Sequence, residues 1–354
     1  MDMLLLEEDS CIDDLRPFTS TRSVLDIRMG IFTLREKWEL MLGKDKFALV
    51  GRDTPGALPA NILPTPELIA AIAGTGGGAG RTGLDRMMGE VRETSARIIR
   101  YPWDIFRYNA EALITDFAIV AGRGTSEPIP ASVQAINPEK IFIEKGARLQ
   151  HCLLNASTGP IYIGRNVEIM EGSLIRGPFA ACEGSTVKMG TKIYGATTLG
   201  PYCAAGGEIK NVVFFGYSSK GHDGYLGDAV IGEWCNLGAG TSASNLKNNA
   251  GDIKVWHPAS GRTISAGQKC GLLMGDYSRA AINTAFNTGT VVGVCCSVFG
   301  EAPPPKYVPN FSWGSHHRYE WDKALRDIEN WKKLKNQSLT DTEILTLKHI
   351  FGIL

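Results

Sequence analysis

Step along the chain in sixes from Ile163 and the residues met are Ile163, Ile169, Ile175, Ala181, Val187, Ile193, Leu199 and Ala205, all aliphatic or small. Ile143 and Leu149 keep the same step upstream, with an interruption around the stretch NASTGP. Downstream the register slips near His222, returns as Ile231 and Leu237, and reappears late as Phe286, Val292 and Val298. A six-residue period means short parallel strands wound into a prism, with one aliphatic side chain per wall pointing inward. Glycines such as Gly164, Gly190, Gly200 and Gly232 fall beside the inward residue, where the backbone must bend sharply. The pattern therefore predicts a parallel β-helix over residues 131–300.

Either side of the coil the period changes. The tail opens with the proline-stiffened stretch APPPKYVPNFSWG, followed by RYEWDKALRDIENWKKLK with apolar residues at helical spacing. A capping-box pattern, Thr340 to Glu343, then opens a last helix. Residues 301–354 thus read as a proline-rich exit and two helices that cap or flank the prism. The first 130 residues read as a mixed α/β region. MLLLEED is a short apolar strand, and SVLDIRMGIFTLREKWELML has helical periodicity broken near Gly30. PTPELIAAIAG is a helix with proline in its first turn, and PWDIFRYNAEALITDFAIV is a helix entered through Pro102.

Charge narrows the class. The chain has 37 basic and 37 acidic side chains, so it lacks the basic field that holds a nucleic-acid backbone. No apolar run approaches the roughly 18 residues needed to cross a bilayer, and the start is acidic where a signal peptide is basic. The eight cysteines form no CxxC pair, and Cys182, Cys203, Cys235 and Cys270 lie within apolar repeats, where a thiol acts as a small hydrophobe. These features are the expectation for a reduced cytoplasmic protein that binds neither membrane nor nucleic acid.

Three stretches could carry chemistry. The glycine-rich run from Gly74 to Gly83 follows a helix and lacks the Gly-Lys-Ser/Thr of a phosphate loop, so it reads as a flexible loop. Arg16, Arg22 and Arg28 read either as solvated charges or as an anion site. The stretch GHDGYLGDAVIGEWCNLGAG is the most informative. His222 sits where the six-residue step fails, in a bend expected to leave the prism, and loops on rigid scaffolds concentrate catalytic side chains. Around it stand Glu208, Lys210, Lys220, Tyr225, Asn236, Asn245 and Lys247, which successive turns of a coil could bring together. The plainer alternative is a histidine hydrogen-bonded within a turn.

The segment KGHDGYLGDAVIGEWCNLGAGTSASN resembles the acetyltransferase half of the bifunctional family that acetylates glucosamine 1-phosphate and then uridylates it. The whole chain resembles a set of bacterial sugar nucleotidyltransferase-like proteins through RPFTSTRSVLDIRMGIFTLREKWE, PWDIF, INTAFNTGTVVGV and FSWG. The resemblance implies a left-handed parallel β-helix that assembles as a homotrimer, and a nucleotidyltransferase-like α/β region over residues 1–130. It implies His222 as the general base toward an amino sugar. Lys192 (in place of an arginine), Lys210 and Tyr225 would hold the sugar phosphate, with Asn236 and Asn245 on the sugar and its amine. Ala239 and Gly240 would meet the thioester of acetyl coenzyme A. The chain departs from the family at Asp223, Gly224, Leu246 and Leu272, the last standing where a coenzyme-binding serine is found. The phosphate-cradling L-A-A-G-x-G-T-R-M is also absent after the first strand. The expected function is acyl transfer from coenzyme A to a sugar phosphate. The alternatives are nucleotidyl transfer by the front region, with Mg²⁺ and a nucleoside triphosphate, and a non-catalytic scaffold or sensor.

Overall fold

The computed structural model describes residues 3–74, 97–300 and 303–353. The glycine run from 75 onward, read above as a flexible loop, lies outside them.

Residues 134–313 form a parallel β-solenoid of three walls, and the inward positions are those of the six-residue step. Ile143, Leu149, Ile163, Ile169, Ile175, Ala181, Val187, Ile193, Leu199, Ala205, Ile231, Leu237, Phe286, Val292 and Val298 all lie in one buried core. The first wall begins with strands Gln134–Ile136, Leu153–Asn155, Leu174–Arg176 and Lys192–Tyr194. The second runs through Ile161–Ile163, Phe179–Ala181 and Thr197–Leu199, and the third through Glu168–Ile169, Thr186–Val187, Ala204–Ala205 and Asn236–Leu237. Strands Glu208–Gly216 and Tyr225–Glu233 are long enough to bend from the first wall onto the second.

The slip in the step comes from short rungs. Ala204 lies opposite Ser219, and Ser219 opposite Asn236, so these rungs are shorter than the three sixes of a full coil. The chain does not leave the prism at His222, contrary to expectation. It leaves after Asn245 and returns at Cys270, through the antiparallel hairpin Lys254–His257 and Arg262–Ser265. At the bends the glycines are sterically required. A Cβ on Gly200 would lie 1.8 Å from the Phe215 carbonyl oxygen of the next rung.

The second wall is covered on its outer side. Val213, Phe215, Val230, Leu273 and Val291 point outward into a core shared with Leu6, Leu25, Trp38, Leu58, Trp103 and Phe106 of the front region. The excursion after Asn245 adds Ile253, Val255, Ala266 and Cys270 to that core. The front region contributes a three-stranded parallel sheet, Leu4–Glu7 between Phe47–Val50 and Leu58–Pro59. Among the described residues its helices are α1 (Leu34–Leu42), α2 (Pro66–Gly74), α3 (Asp104–Arg107) and α4 (Asn109–Arg123).

The helical periodicity over 23–42 is realised only from Leu34 onward. Residues before it form a 3₁₀ turn at Val24–Asp26 and a hairpin of Arg28–Met29 with Phe32–Thr33. Gly30, at φ +69, packs so closely on α4 that a Cβ would lie 2.3 Å from an Asp116 oxygen. Asp116 holds this hairpin by accepting from the Ile31 and Phe32 amides, and it pairs with Lys37 of α1. Both members of the pair are fully buried, and burial pushes the lysine pKa down and the carboxyl pKa up.

Of the three arginines, Arg16 is the solvated one, while Arg22 and Arg28 are buried and paired within the protein. Arg22 is buried in ion pairs with Asp276 and Glu233 of the solenoid, and its guanidinium lies over the Phe215 ring. Arg28 is buried too, donating to the Ile31 carbonyl, while Arg16 pairs with Asp13 at the surface. Their charge is spent on fastening the front region to itself and to the coil.

The tail closes one corner. There Tyr217 and Trp234 stack at 4.3 Å between ring centres. Helix α5 (Trp321–Lys333) and capped α6 (Asp341–Phe351) pack on Trp234, Tyr277, Cys295 and Phe311 through Ala324, Ile328 and Leu347.

Candidate functional site

His222 occupies the corner where the third wall turns into the first, between strands Ser219–Lys220 and Tyr225–Glu233. Its ring is exposed and makes no hydrogen bond among the described residues. The corner is tightly built from backbone. Gly224, at φ +116, could not carry a Cβ without approaching the Thr241 carbonyl oxygen to 2.1 Å. The Gly240 amide donates to the Asp223 carbonyl at 3.1 Å, so the corner carrying Ala239 and Gly240 is fastened directly beneath that of His222. Gly240 has thus spent its N–H, whereas the Ala239 N–H has no acceptor among the described residues.

From this corner the first wall carries a polar strip. Tyr225 lies opposite Glu208, and Lys210 opposite Tyr194, while Lys192 stands opposite Glu208 one rung earlier. Tyr194 donates to Glu208 at 2.5 Å, and its pKa is pushed up to about 12 by that carboxylate and then by burial. The Lys210 ammonium lies 5.6 Å from the centre of the Tyr194 ring. Burial, and then the charge of Asp228, hold the Tyr225 phenol up at about 12. Asp228 itself is buried, accepting from Asn211 at 2.7 Å and from the Asn245 amide. Asn245 therefore fixes a carboxylate beneath the strip.

At the far end of the strip, Asn155, Arg176, Lys192 and Tyr194 join Leu153 and Leu174 around a cavity of about 550 Å³. Neither Arg176 nor Lys192 has a carboxylate partner among the described residues. A concave, partly apolar wall carrying two uncompensated cations suits an organic anion.

Lys192, Lys210, Tyr225 and Asn245 thus share one wall, with His222, Ala239 and Gly240 at its edge. Asn236 differs, since it lies on the third wall between Ser219 and Arg279. Leu272 is fully buried in the core and has no access to a ligand. Asp228 was not named from the sequence, and Lys220 was named only as one of the cations around His222. Asp228 belongs to the same Y-L-G-D run as Tyr225, and Lys220 immediately precedes the His222 corner.

The exit of the first strand does not fit a nucleotide triphosphate with Mg²⁺. Glu7 accepts from the Ser10 amide and hydroxyl, and Glu8 from the Ser23 hydroxyl and the Val24 amide. These carboxylates cap turns where a phosphate cradle needs bare N–H groups. No cluster of three or more metal-ligating side chains occurs among the described residues, and no helix there is long and apolar enough to cross a membrane.

Fold and site define a hexapeptide-type β-solenoid with a small α/β front region joined to one wall. Residues 3–54 match the family model described as sugar nucleotidyl transferase. A bifunctional sugar-1-phosphate nucleotidylyltransferase/acetyltransferase of Sulfurisphaera tokodaii is 34% identical over 93 residues, 26% of this chain and 23% of that protein. A bifunctional protein GlmU of Methanocaldococcus jannaschii is 32% identical over 89 residues, 25% of this chain and 21% of the relative. The GlmU of Synechococcus elongatus is 26% identical over 221 residues, 56% of this chain and 44% of that protein. The matches thus span less than half the length of these curated relatives. Among solved structures, the polySia-specific acetyltransferase NeuO aligns with a TM-score of 0.27 at 14% identity, over 51% of this chain and 79% of its own.

Proposed function

We propose that the protein transfers an acyl group from coenzyme A to the amine or hydroxyl of a sugar phosphate, with His222 as general base. One observation carries this reading. An imidazole free of protein partners stands at the edge of a wall whose cations, Lys210, Lys192 and Arg176, lack carboxylate partners among the described residues.

An amine or hydroxyl attacks a thioester only as its proton leaves, and an imidazole, ordinarily near 6.5, suits that task at neutral pH. In this reading His222 takes the acceptor's proton as the new N–C or O–C bond forms. The C–S bond then breaks and the departing thiolate receives the proton. The Ala239 N–H supports the thioester-binding role, since a backbone donor without an acceptor can meet the developing oxyanion. Lys192 and Lys210 would hold the phosphate as point charges.

Thiol release from acetyl coenzyme A against a panel of amino-sugar and hexose phosphates tests the reading directly. Release with none of them would remove it. Within the same assay, Lys192→Ala is expected to raise KM for the phosphorylated acceptor about tenfold with kcat little changed, as loss of a charge-assisted contact implies. A change in kcat alone would take Lys192 out of acceptor binding.

A second reading, nucleotidyl transfer by the front region, is favoured by the family-model match over residues 3–54. Its test is formation of a nucleotide sugar from a nucleoside triphosphate and a sugar 1-phosphate. The spent carboxylates after the first strand argue against it.

A further inference from the structure

Lys220 is the anomaly of the coil. Its place on the third wall is an inward one, held on other rungs by Val187, Ala205, Leu237, Ala280 and Val298, all of the apolar core. The side chain is fully buried, and no carboxylate pairs with it among the described residues. Its ammonium donates instead to three carbonyls, those of His222, of Asp223 at 3.0 Å and of Gly206 at 3.5 Å. A buried ammonium is costly to desolvate, and an apolar side chain would fill such a slot more cheaply. What the ammonium provides is a fixed backbone at the corner above it.

The Asp223 carbonyl is the centre of that fixation. It accepts from Lys220 on one side and from the Gly240 amide on the other. One lysine therefore ties together the corner carrying the imidazole, the next corner carrying Ala239, and, through Gly206, the corner of the preceding rung. All three bonds run from inside the prism outward, so the His222 side chain stays free.

We propose that Lys220 is a positioning residue, an internal clamp that sets His222 against the Ala239 N–H. Its part in turnover rests on the acyl-transfer reading, while its part in holding the corners does not. Burial lowers the lysine pKa to about 8 from 10.5, with Asp223, the charged side chain facing it, opposing that shift. The clamp is therefore largely charged well below pH 8, half-charged near it, and loosens above it, because a neutral amine is a weaker donor.

Peptide-resolved hydrogen exchange and steady-state kinetics on wild type, Lys220→Met and Lys220→Gln test the proposal. Lys220→Met is expected to speed exchange of the Gly240 amide at least about tenfold. It is also expected to lower kcat by about 10²-fold with KM for both substrates little changed, as a small misplacement of reacting groups does. Its melting temperature should not fall, since a buried charge is exchanged for an apolar side chain. Lys220→Gln, which keeps a neutral donor, should recover part of both losses. In wild type, protection of Gly240, corrected for intrinsic exchange, should fall with a midpoint near pH 8.

Unchanged Gly240 protection in the methionine variant, or in wild type carried through pH 8 should the variant not fold, would overturn the clamp. Should His222→Ala leave turnover intact, the acyl-transfer reading fails, and the exchange results still decide whether Lys220 holds the corners.

Discussion

His222→Ala is expected to cut acyl transfer by about 10²–10⁴, the usual worth of a positioned general base. The melting temperature should stay where it is. The ring is exposed and gives no hydrogen bond to the protein among the described residues, so its removal breaks no contact that holds the corner. The residual rate would come from substrate positioning and from the Ala239 N–H, which the substitution leaves intact. Thiol release at saturating acceptor is the measurement, because loss of a proton acceptor used only in the transition state lowers kcat and kcat/KM together. Equal rates for the variant and wild type would end the role assigned to the imidazole.

Arg22→Ala is expected to be strongly destabilising, by about 3–5 kcal/mol, the cost of breaking a buried ion pair. Arg22 crosses from the front region to the coil. Its side chain is 10% exposed, Asp276 is 2% exposed, and Glu233 stands 3.1 Å away. Truncation leaves the buried Asp276 charged, still accepting from the Thr21 hydroxyl and from the Glu233 amide at 2.8 Å but without a cation. It also strips the Phe215 face of its cation, exposing part of the surface that the front region covers. Urea denaturation followed by tryptophan fluorescence measures the loss. Adding Asp276→Asn should recover part of it by removing the stranded charge, which a double-mutant cycle would show as coupling. A loss below about 1 kcal/mol would mean that the apolar core alone fastens the front region.

The coil was legible because its period is set by geometry alone. One side chain in six must enter a narrow interior, and only aliphatic or small residues fit, so Ile163 to Ala205 announce the fold. The front region was not legible in the same way. Val24, Leu25, Ile27 and Met29 are buried on every side, partly by a wall that lies far along the chain, and such a run shows no preferred face. Arg22 looked like surface charge because its partners, Asp276 and Glu233, are more than 200 residues away. The site was half legible. Lys192, Lys210, Tyr225 and Asn245 do fall on one wall, as stacked rungs require. Asn236 falls on the third wall because it precedes inward Leu237, one six-residue step past Ile231 of the second. The short rungs on either side of Ser219 hid the inward place of Lys220, which emerges only when the rungs are aligned in space.

The distribution of coverings around the prism sets where another molecule can meet it. The second wall is lost beneath the front region, and the aromatic corner beside it is roofed by α5 and α6. Among the described residues nothing covers the first wall, where Ile136 and Leu174 are about half exposed, and His222 stands along its margin. A neighbour laid along that bare side would reach the imidazole from without, turning a shallow ledge into an enclosed chamber.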